Sequence, residues 1–205
     1  MIRTAGTDPD IRVRLLDAAA AAFTRRGFAQ TTIDDIALAV GGTKGLVYYH
    51  FRSKFDVFLA VYDRGVAMVR EAVDPLADAP GSGLERLRPM ATAHVMNLME
   101  NFPYHSVVHQ GVRDQSSESL TVGQRDALVG LNRSREEYEL MFRRVIAEGI
   151  ADGSLRPVDA ALAARVLLSS LNAVDLWFRQ RQQSEDSLRA MAGDVVDLII
   201  GGITA

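Results

Sequence analysis

The sequence predicts an all-α protein of about nine helices. Apolar residues recur with helical spacing over long stretches, and few segments show the alternation of a half-buried strand. Six prolines and scattered glycines fall between these stretches, where helices are expected to end. A chain of 205 residues that is 48% hydrophobic is long enough for a sizeable core, in one large domain or two small ones.

The expected helix bounds follow from capping residues, glycines and prolines. Gly27 supplies the left-handed position after the first helix, and Thr32 and Thr43 can cap the second and third. The fourth helix is expected to stop before Pro75, and the fifth to kink or restart at Pro89. The nine helices are expected near residues 9–26, 33–40, 43–50, 53–73, 82–101, 103–109, 122–152, 159–182 and 185–200.

Composition excludes several kinds of chemistry. No cysteine occurs, so disulfides, thiolate catalysis and zinc–thiolate clusters are excluded. The first residues lack the apolar stretch of a signal peptide, and no charge-free run of about 18 apolar residues offers a membrane span. The sequence therefore predicts a cytoplasmic protein without membrane association.

The formal charge of −3 is unevenly distributed along the chain. Residues 1–54 carry eight Lys or Arg and five Asp or Glu, hence +3, which leaves −6 for the remainder. Both lysines of the chain, Lys44 and Lys54, lie in the basic part. A basic N-terminal part, residues 1–54, followed by an acidic remainder favours a polyanionic partner for the N-terminal part.

Residues 32–50 meet the requirements of a helix-turn-helix. Such a motif needs a small residue where its helices cross, a glycine in the tight turn, and an apolar residue that holds the second helix against the first. Ala37, Gly41 and Val47 take these three positions. The polar and aromatic residues left on the outer face of the third helix suit a major groove of DNA.

The start of each motif helix is the expected phosphate site. Thr32 and Thr43 combine a hydroxyl with backbone amides at the positive end of a helix. Lys44 can reach a guanine edge or a phosphate. Gly45 and Leu46 allow the helix to approach closely and to meet thymine methyl groups.

Four further residues are expected to orient the motif on DNA. Tyr48, Tyr49, His50 and Lys54 offer hydroxyl, imidazole and ammonium groups for phosphate oxygens. An ordinary helical hairpin, with core tyrosines and solvated lysines, is the alternative explanation of this stretch.

The stretch TTIDDIALAVGGTKGLVYYHFRSKFDVFLAVYDR, residues 31–64, resembles the DNA-binding domain of the TetR family of bacterial transcriptional regulators. The resemblance implies a DNA-binding domain over residues 1–52, a ligand-binding and dimerisation domain over 53–205, and DNA contacts at the positions named above. Two positions depart from the family pattern: Gly42 stands where Val or Ile is usual, and Leu46 where Thr is frequent.

The acidic C-terminal part of the chain, after residue 54, also resembles known regulators. Residues 136–180 are similar to regulators that sense acyl-CoA thioesters, through an alanine-rich helix with a late Trp, Phe and Arg cluster. The resemblance implies a repressor that leaves a double-stranded DNA operator when a small apolar or acyl-CoA effector binds. We expect effector binding to move the fourth helix and so to change the spacing of paired recognition helices.

A homodimer through the last two helices is the expected assembly. One short recognition helix makes too few contacts for tight binding, so such modules pair on pseudo-palindromic sites about 34 Å apart. Residues 158–178 are apolar on almost every side, and a helix of that kind must bury both faces. The alternative is that both helices fill the core of a monomer.

A band of large adaptable side chains predicts the effector site. Methionines and aromatics between helices can enclose an apolar ligand, and arginines near its mouth can bind CoA phosphates. Plain core packing and solvated charges are the alternatives for each residue. The predicted ligand-binding residues are Met90, His94, Met99, Phe102, His109, Arg113, Tyr138, Phe142, Trp177 and Arg181.

Two other functions compete with this prediction, although the sequence favours a protein that is neither an enzyme nor dependent on a cofactor. His105 and His109, four residues apart, can share a metal with Asp114 or Glu118 in a helical enzyme. An architectural DNA-binding protein without an effector is the second rival, and the acidic C-terminal part argues against it.

Overall fold

The computed structural model describes residues 9–113, 121–178, 184–201 and 203–204, and these residues form an all-α protein. Within them the one strand-like feature is an isolated antiparallel bridge between Leu155 and Thr204. Ten helices occur in the described ranges: α1 Pro9–Gln30, α2 Ile33–Ala39, α3 Lys44–His50, α4 Lys54–Ala77, α5 Gly83–Glu100, α6 Phe102–Arg113, α7 Val122–Ala151, α8 Ala160–Asn172, α9 Val174–Trp177 and α10 Glu185–Ile200.

The chain divides into two compact units. The first contains Met1–Gly65 with Pro103–Val129, and the second contains Val66–Phe102 with Gly130–Ala205. Helices α4, α6 and α7 each contribute residues to both units. The expected boundary between DNA-binding and ligand-binding domains after residue 52 stays a prediction.

Aromatic packing closes the core of the first unit. Gly27 has the positive φ of 74° expected at the end of the first helical run, and the chain turns back after it. The Phe28 ring then lies 5.7 Å from that of Phe23 and 5.2 Å from that of Phe58. This contact joins the end of α1 to the first turns of α4.

The core of the second unit surrounds α5. Most of its buried residues come from α4, α5, α7, α8, α9 and α10. Leu155 and Phe178, which lie outside the helices, also belong to it, and Phe102 of α6 packs against it. Members with no exposed surface are Val73, Leu87, Met90, Ala91, Val95, Phe142, Val145, Ile146, Ala164, Leu171, Ala192 and Ile200.

Prolines do not end helices where the sequence suggests. Helix α4 passes through Pro75 to Ala77, and α5 passes through Pro89 without a break. Pro75 lies in the last turn, where it removes one backbone hydrogen bond, while Val73 and Ala77 on either side are buried. Packing of these flanking residues outweighs the local cost of the proline.

The predicted long helix over 159–182 is wrong. It ends at Asn172, where the Ala173 N–H is shared between the carbonyls of Ser169 and Ser170 and the last turn tightens. The short α9 follows and turns Val174 into the core. Residues 179–182 lie outside the described residues. Among the described residues one window, Ala160–Trp177, has the length and composition of a membrane span, and 22% of it is buried.

Candidate nucleic-acid interface and effector core

Helices α2 and α3 form the predicted helix-turn-helix. Ile36 on α2 and Val47 on α3 are fully buried, and Ala37 on α2 is also buried. Gly41 adopts a φ of 69° in the turn, a region that favours glycine. Its N–H donates to the Leu38 carbonyl at 3.0 Å, which closes the end of α2.

The outer face of α3 is open to a ligand. Lys44, Gly45, Tyr48 and Tyr49 are exposed, with 48% and 61% of the two tyrosines accessible. Lys44 Nζ lies 3.2 Å from Asp34 Oδ2, in a pair with both side chains more than half exposed. An ion pair of this kind contributes little stability, so Lys44 can exchange Asp34 for a phosphate or a base at small cost.

The two predicted capping threonines differ in their hydroxyl groups. Thr43 caps α3 without a side-chain hydrogen bond to the helix. Thr32, by contrast, accepts from Asp35 N and donates to Asp35 Oδ2 at 2.7 Å in a capping box. Hydrogen bonds from the Thr32 backbone and hydroxyl lower the pKa of Asp35 and keep a negative charge at the start of α2. A phosphate contact by Thr43 is therefore easier than one by Thr32.

Leu46 and Gly42, the two departures from the family pattern, fit each other. A Cβ atom on Gly42 would lie 2.6 Å from Leu46 Cδ2. The glycine thus leaves room for the leucine to fold over the turn, where Leu46 is half-buried. Leu46 was predicted to face thymine methyl groups; in the structure much of its side chain packs on the motif itself.

Lys54 joins the start of α4 to the end of α1 in this structure. Its Nζ donates to the carbonyls of Phe28, Ala29 and Thr31 at 2.7, 3.2 and 2.8 Å. The ammonium also lies 4.5 Å from the centre of the Phe28 ring, and burial lowers the pKa of Lys54. The three protons of Lys54 are directed at the last turn of α1 and at Thr31, which follows it. Its predicted phosphate contact therefore competes with three existing hydrogen bonds.

A hydrogen bond between α6 and α1 was not anticipated from the sequence. Tyr104 donates to Asp17 Oδ1 at 2.5 Å, and Thr24 donates to the Pro103 carbonyl at 3.0 Å. Burial, then the Asp17 hydrogen bond, raises the pKa of Tyr104, so the phenol stays protonated and remains a donor. The N-terminal turn of α6 is thereby fixed to α1 within the first unit.

Six of the ten predicted ligand-binding residues meet in or against the core of the second unit. His94 and Tyr138 are hydrogen-bonded at 2.9 Å, and the Phe142 ring lies 5.2 Å from that of Tyr138. Met90 and Met99 are buried in the same cluster, and Phe102 packs against it with its ring 5.9 Å from that of Phe178. The sequence missed Asn172, whose Oδ1 lies 3.2 Å from His94 Nε2. A lone asparagine late in an apolar helix gives no pattern that would indicate this role.

Of the four other predicted ligand-binding residues, Trp177 and His109 lie outside this cluster. Trp177 is 50% exposed at the end of α9. His109 belongs to the first unit, where it is half-buried on α6. Arg113 is the last residue of α6, and Arg181 lies outside the described residues.

The alternative metal site is not assembled among the described residues. His105 is buried on α6, and Asp114 and Glu118 lie outside the described ranges. No group of three His, Asp or Glu side chains suited to a metal ion occurs in the part of the chain that is described.

The fold and the open face of α3 define a helix-turn-helix regulator with a helical effector domain. A family model for bacterial regulatory proteins of the tetR family matches residues 15–61, and a model for the tetracyclin repressor-like C-terminal domain matches residues 80–203. The chain belongs to the TetR family. It is a ligand-responsive, DNA-binding transcriptional regulator.

Three similar proteins illustrate the range of the family. The transcriptional repressor KstR2 of Mycolicibacterium smegmatis is 27% identical over 94% of this chain and 90% of its own length. The structure of PfmR, a TetR family regulator from Thermus thermophilus, superposes with a TM-score of 0.76 at 30% identity, over 92% of this chain and 97% of that one. The structure of AibR with isovaleryl coenzyme A and operator DNA shares the fold, with a TM-score of 0.69 at 20% identity, over 89% of this chain and 96% of that one.

Proposed function

We propose that this chain is a cytoplasmic, non-enzymatic repressor that leaves its operator when an acyl-CoA thioester or a related apolar molecule binds. The observation that carries the proposal is that one chain contains both an exposed outer face on α3 and an apolar core with a hydrogen-bonded polar group, His94. The AibR structure, which combines isovaleryl coenzyme A with operator DNA, supports the effector class.

On DNA we assign the first contacts to the outer face of α3. Thr43 and the neighbouring amides hold a phosphate, and Lys44 reaches a phosphate or a guanine edge. Tyr48, Tyr49 and His50 fix the orientation of the helix through phosphate oxygens. Gly45 carries no side chain and is exposed, so the backbone can approach the groove closely.

Helix α4 is the proposed link between effector and DNA. It contributes Lys54–Gly65 to the first unit and Val66–Ala77 to the second. An effector that favours one position of α4 shifts the population of the DNA-binding form by its difference in affinity for the two forms. In a dimer this movement changes the separation of two recognition helices, which must match half-sites about 34 Å apart.

Acyl-CoA thioesters are expected to weaken operator binding by at least about 10-fold at saturation, which is the usual range of coupling between two sites. DNA fragments retained by the purified protein supply the operator, and gel shifts with short, medium and long acyl-CoA esters measure release. Free coenzyme A is the control. Unchanged affinity with every ester at saturation would contradict the proposed effector class and favour an architectural DNA-binding protein.

The proposed dimer interface lies on α8 and α10. Leu162 and Val166, one helical turn apart on α8, are 62% and 56% exposed, and Leu198 on α10 is 83% exposed. Large apolar side chains in such numbers favour burial by a second subunit. A helix in a dimer interface can be as rich in apolar residues and as poor in charges as a membrane span. The proposed interface therefore accounts for the apolar window in Ala160–Trp177.

Val166→Glu is expected to convert the dimer into a monomer at micromolar concentration, because it places a charge in the centre of the apolar face. Sedimentation velocity measures the mass. Val129→Glu is the matched control, since Val129 on α7 is also exposed, at 60%, and lies outside the proposed interface. A dimer that survives Val166→Glu but not Val129→Glu would place the interface elsewhere.

A further inference from the structure

Arg12, on α1, lies against the residue that ends α3. Its guanidinium carbon is 5.3 Å from the centre of the Phe51 ring, and Phe51 is the C-terminal capping residue of α3. Phe51 is buried, whereas Arg12 is exposed. A cation within about 6 Å of a ring centre is attracted to the face of the ring, so Phe51 supports an exposed positive charge at this end of α3.

A row of rings connects Arg12 with the outer face of α3. The Tyr49 ring lies 5.0 Å from the His50 ring, which in turn lies 6.4 Å from the Phe51 ring. Tyr49 is 61% exposed on that face. Arg12 therefore lies next to the surface to which we assign the DNA contacts, although it belongs to a different helix.

The nitrogen donors of Arg12 are available to a ligand. Contact with a ring uses the charge of a guanidinium and leaves its N–H groups for acceptors. Within the described part of the chain no acceptor takes a hydrogen bond from the Arg12 side chain. Arg14, one turn away on the same motif, differs, since it donates to the Val40 carbonyl at 3.3 Å. Arg12 is therefore oriented by Phe51 without being occupied by a protein acceptor.

We propose that Arg12 binds a phosphate of the operator at the C-terminal end of α3, in addition to the contacts made by α3 itself. This inference rests on the proposed placement of α3 in the major groove. A guanidinium presents two parallel N–H groups that match two oxygens of one phosphate. Because the Phe51 ring orients this group before DNA binds, less side-chain freedom is lost in the complex. Phe51 is thus a positioning residue for Arg12.

The length of α3 separates this contact from the one assigned to Lys44. Seven residues at 1.5 Å each give a helix about 10 Å long, with Lys44 at its first position and Phe51 directly after its last. The major groove is about 12 Å wide, so the two ends of such a helix approach different parts of the DNA backbone. Arg52, which follows Phe51 and is exposed, adds positive charge at the same end as Arg12.

Arg12→Gln tests the contact on the operator fragment retained by the purified full-length chain. Binding measured over a range of salt concentrations should be about 10-fold weaker, and about one ion fewer should be released for each subunit. Arg12→Lys keeps the charge and should keep the ion release, with a loss of about 3-fold because an ammonium does not form the paired hydrogen bonds. Arg133→Gln is the matched control, since this arginine is 82% exposed in the second unit, and neither quantity should change.

Combination with Lys44→Ala should weaken binding by about 100-fold, because contacts at well-separated sites contribute independently. Unchanged affinity and ion release in Arg12→Gln would overturn the inference. So would lower thermal stability with unchanged ion release, which would confine Arg12 to packing on Phe51, or an equal loss in Arg133→Gln. Weaker binding in Arg12→Gln but not in Lys44→Ala would support the Arg12 contact and contradict the proposed role of Lys44, so the two failures are distinguishable.

Discussion

Lys44→Ala is expected to weaken operator binding by at least about 10-fold without lowering stability, because each lost contact to DNA costs about 1–3 kcal/mol. Lys44 is exposed at the start of α3, and its pair with Asp34 is solvent-exposed, so the folded protein loses little. Binding is measured over a range of salt concentrations. If Lys44 contacts a phosphate, the number of ions released on binding, read from the salt dependence of the affinity, falls by about one for each subunit. If Lys44 contacts a guanine edge instead, the preference of the protein for that base pair weakens.

Lys54→Met provides the matched comparison, since it removes the other lysine from the same unit. We expect this variant to lose about 2 kcal/mol of stability, because three carbonyl groups lose the ammonium that donates to them. The salt dependence of DNA binding should stay unchanged, because this ammonium neutralises no phosphate in the proposed complex. A reduced salt dependence with normal thermal stability would instead support the phosphate contact that the sequence predicts.

Gly83→Ala is expected to destabilise the second unit by about 3 kcal/mol, because its Cβ has no space. The new atom would overlap the backbone of Gly149 on α7 and would lie 2.8 Å from the Val145 carbonyl oxygen. Backbone atoms cannot rotate away as a side chain can, so α5 and α7 must separate. Gly83 N also donates to Asp152 Oδ2 at 2.7 Å, and a shift of α5 would weaken this bond. Thermal unfolding should show a decrease of roughly 6–12 °C.

Gly130→Ala is the control for this substitution. Gly130 is exposed within α7, and a Cβ on it would meet no atom within 4 Å. Alanine at an open helical position is expected to stabilise the protein by about 0.5–1 kcal/mol. A loss of stability in Gly130→Ala similar to that in Gly83→Ala would show that the close approach of α5 and α7 is not the cause.

Local sequence patterns were sufficient to predict the helix-turn-helix and its outer face. Ala37, Gly41 and Val47 have positional requirements that arise within some fifteen residues, and the structure places them as the sequence predicts. Tyr48 and Tyr49 are exposed because Val47 must be buried, and helical geometry then turns their side chains outward. The assignment of Tyr48 and Tyr49 to DNA contacts stays a prediction. The Lys44→Ala experiment tests the same face of α3 at a neighbouring position.

Helix ends were harder to predict where distant packing competes with a local preference. Pro75 and Pro89 favour breaks, yet the buried residues on both sides of each keep the helix continuous. At Ala173 the opposite occurs, since an apolar stretch that reads as one helix bends so that Val174 and Phe178 enter the core. Neither outcome can be derived from a window of a few residues.

By itself the sequence determined the all-α class, the helix-turn-helix and the residues on its outer face, because these depend on periodicity and on short-range steric requirements. Only the tertiary structure decided which three carbonyls accept hydrogen bonds from Lys54, why a glycine at position 42 is needed beside Leu46, and which polar residues lie next to His94. Each of these arises between residues that are far apart in the chain or on different turns. Their energies depend on distances that folding alone sets.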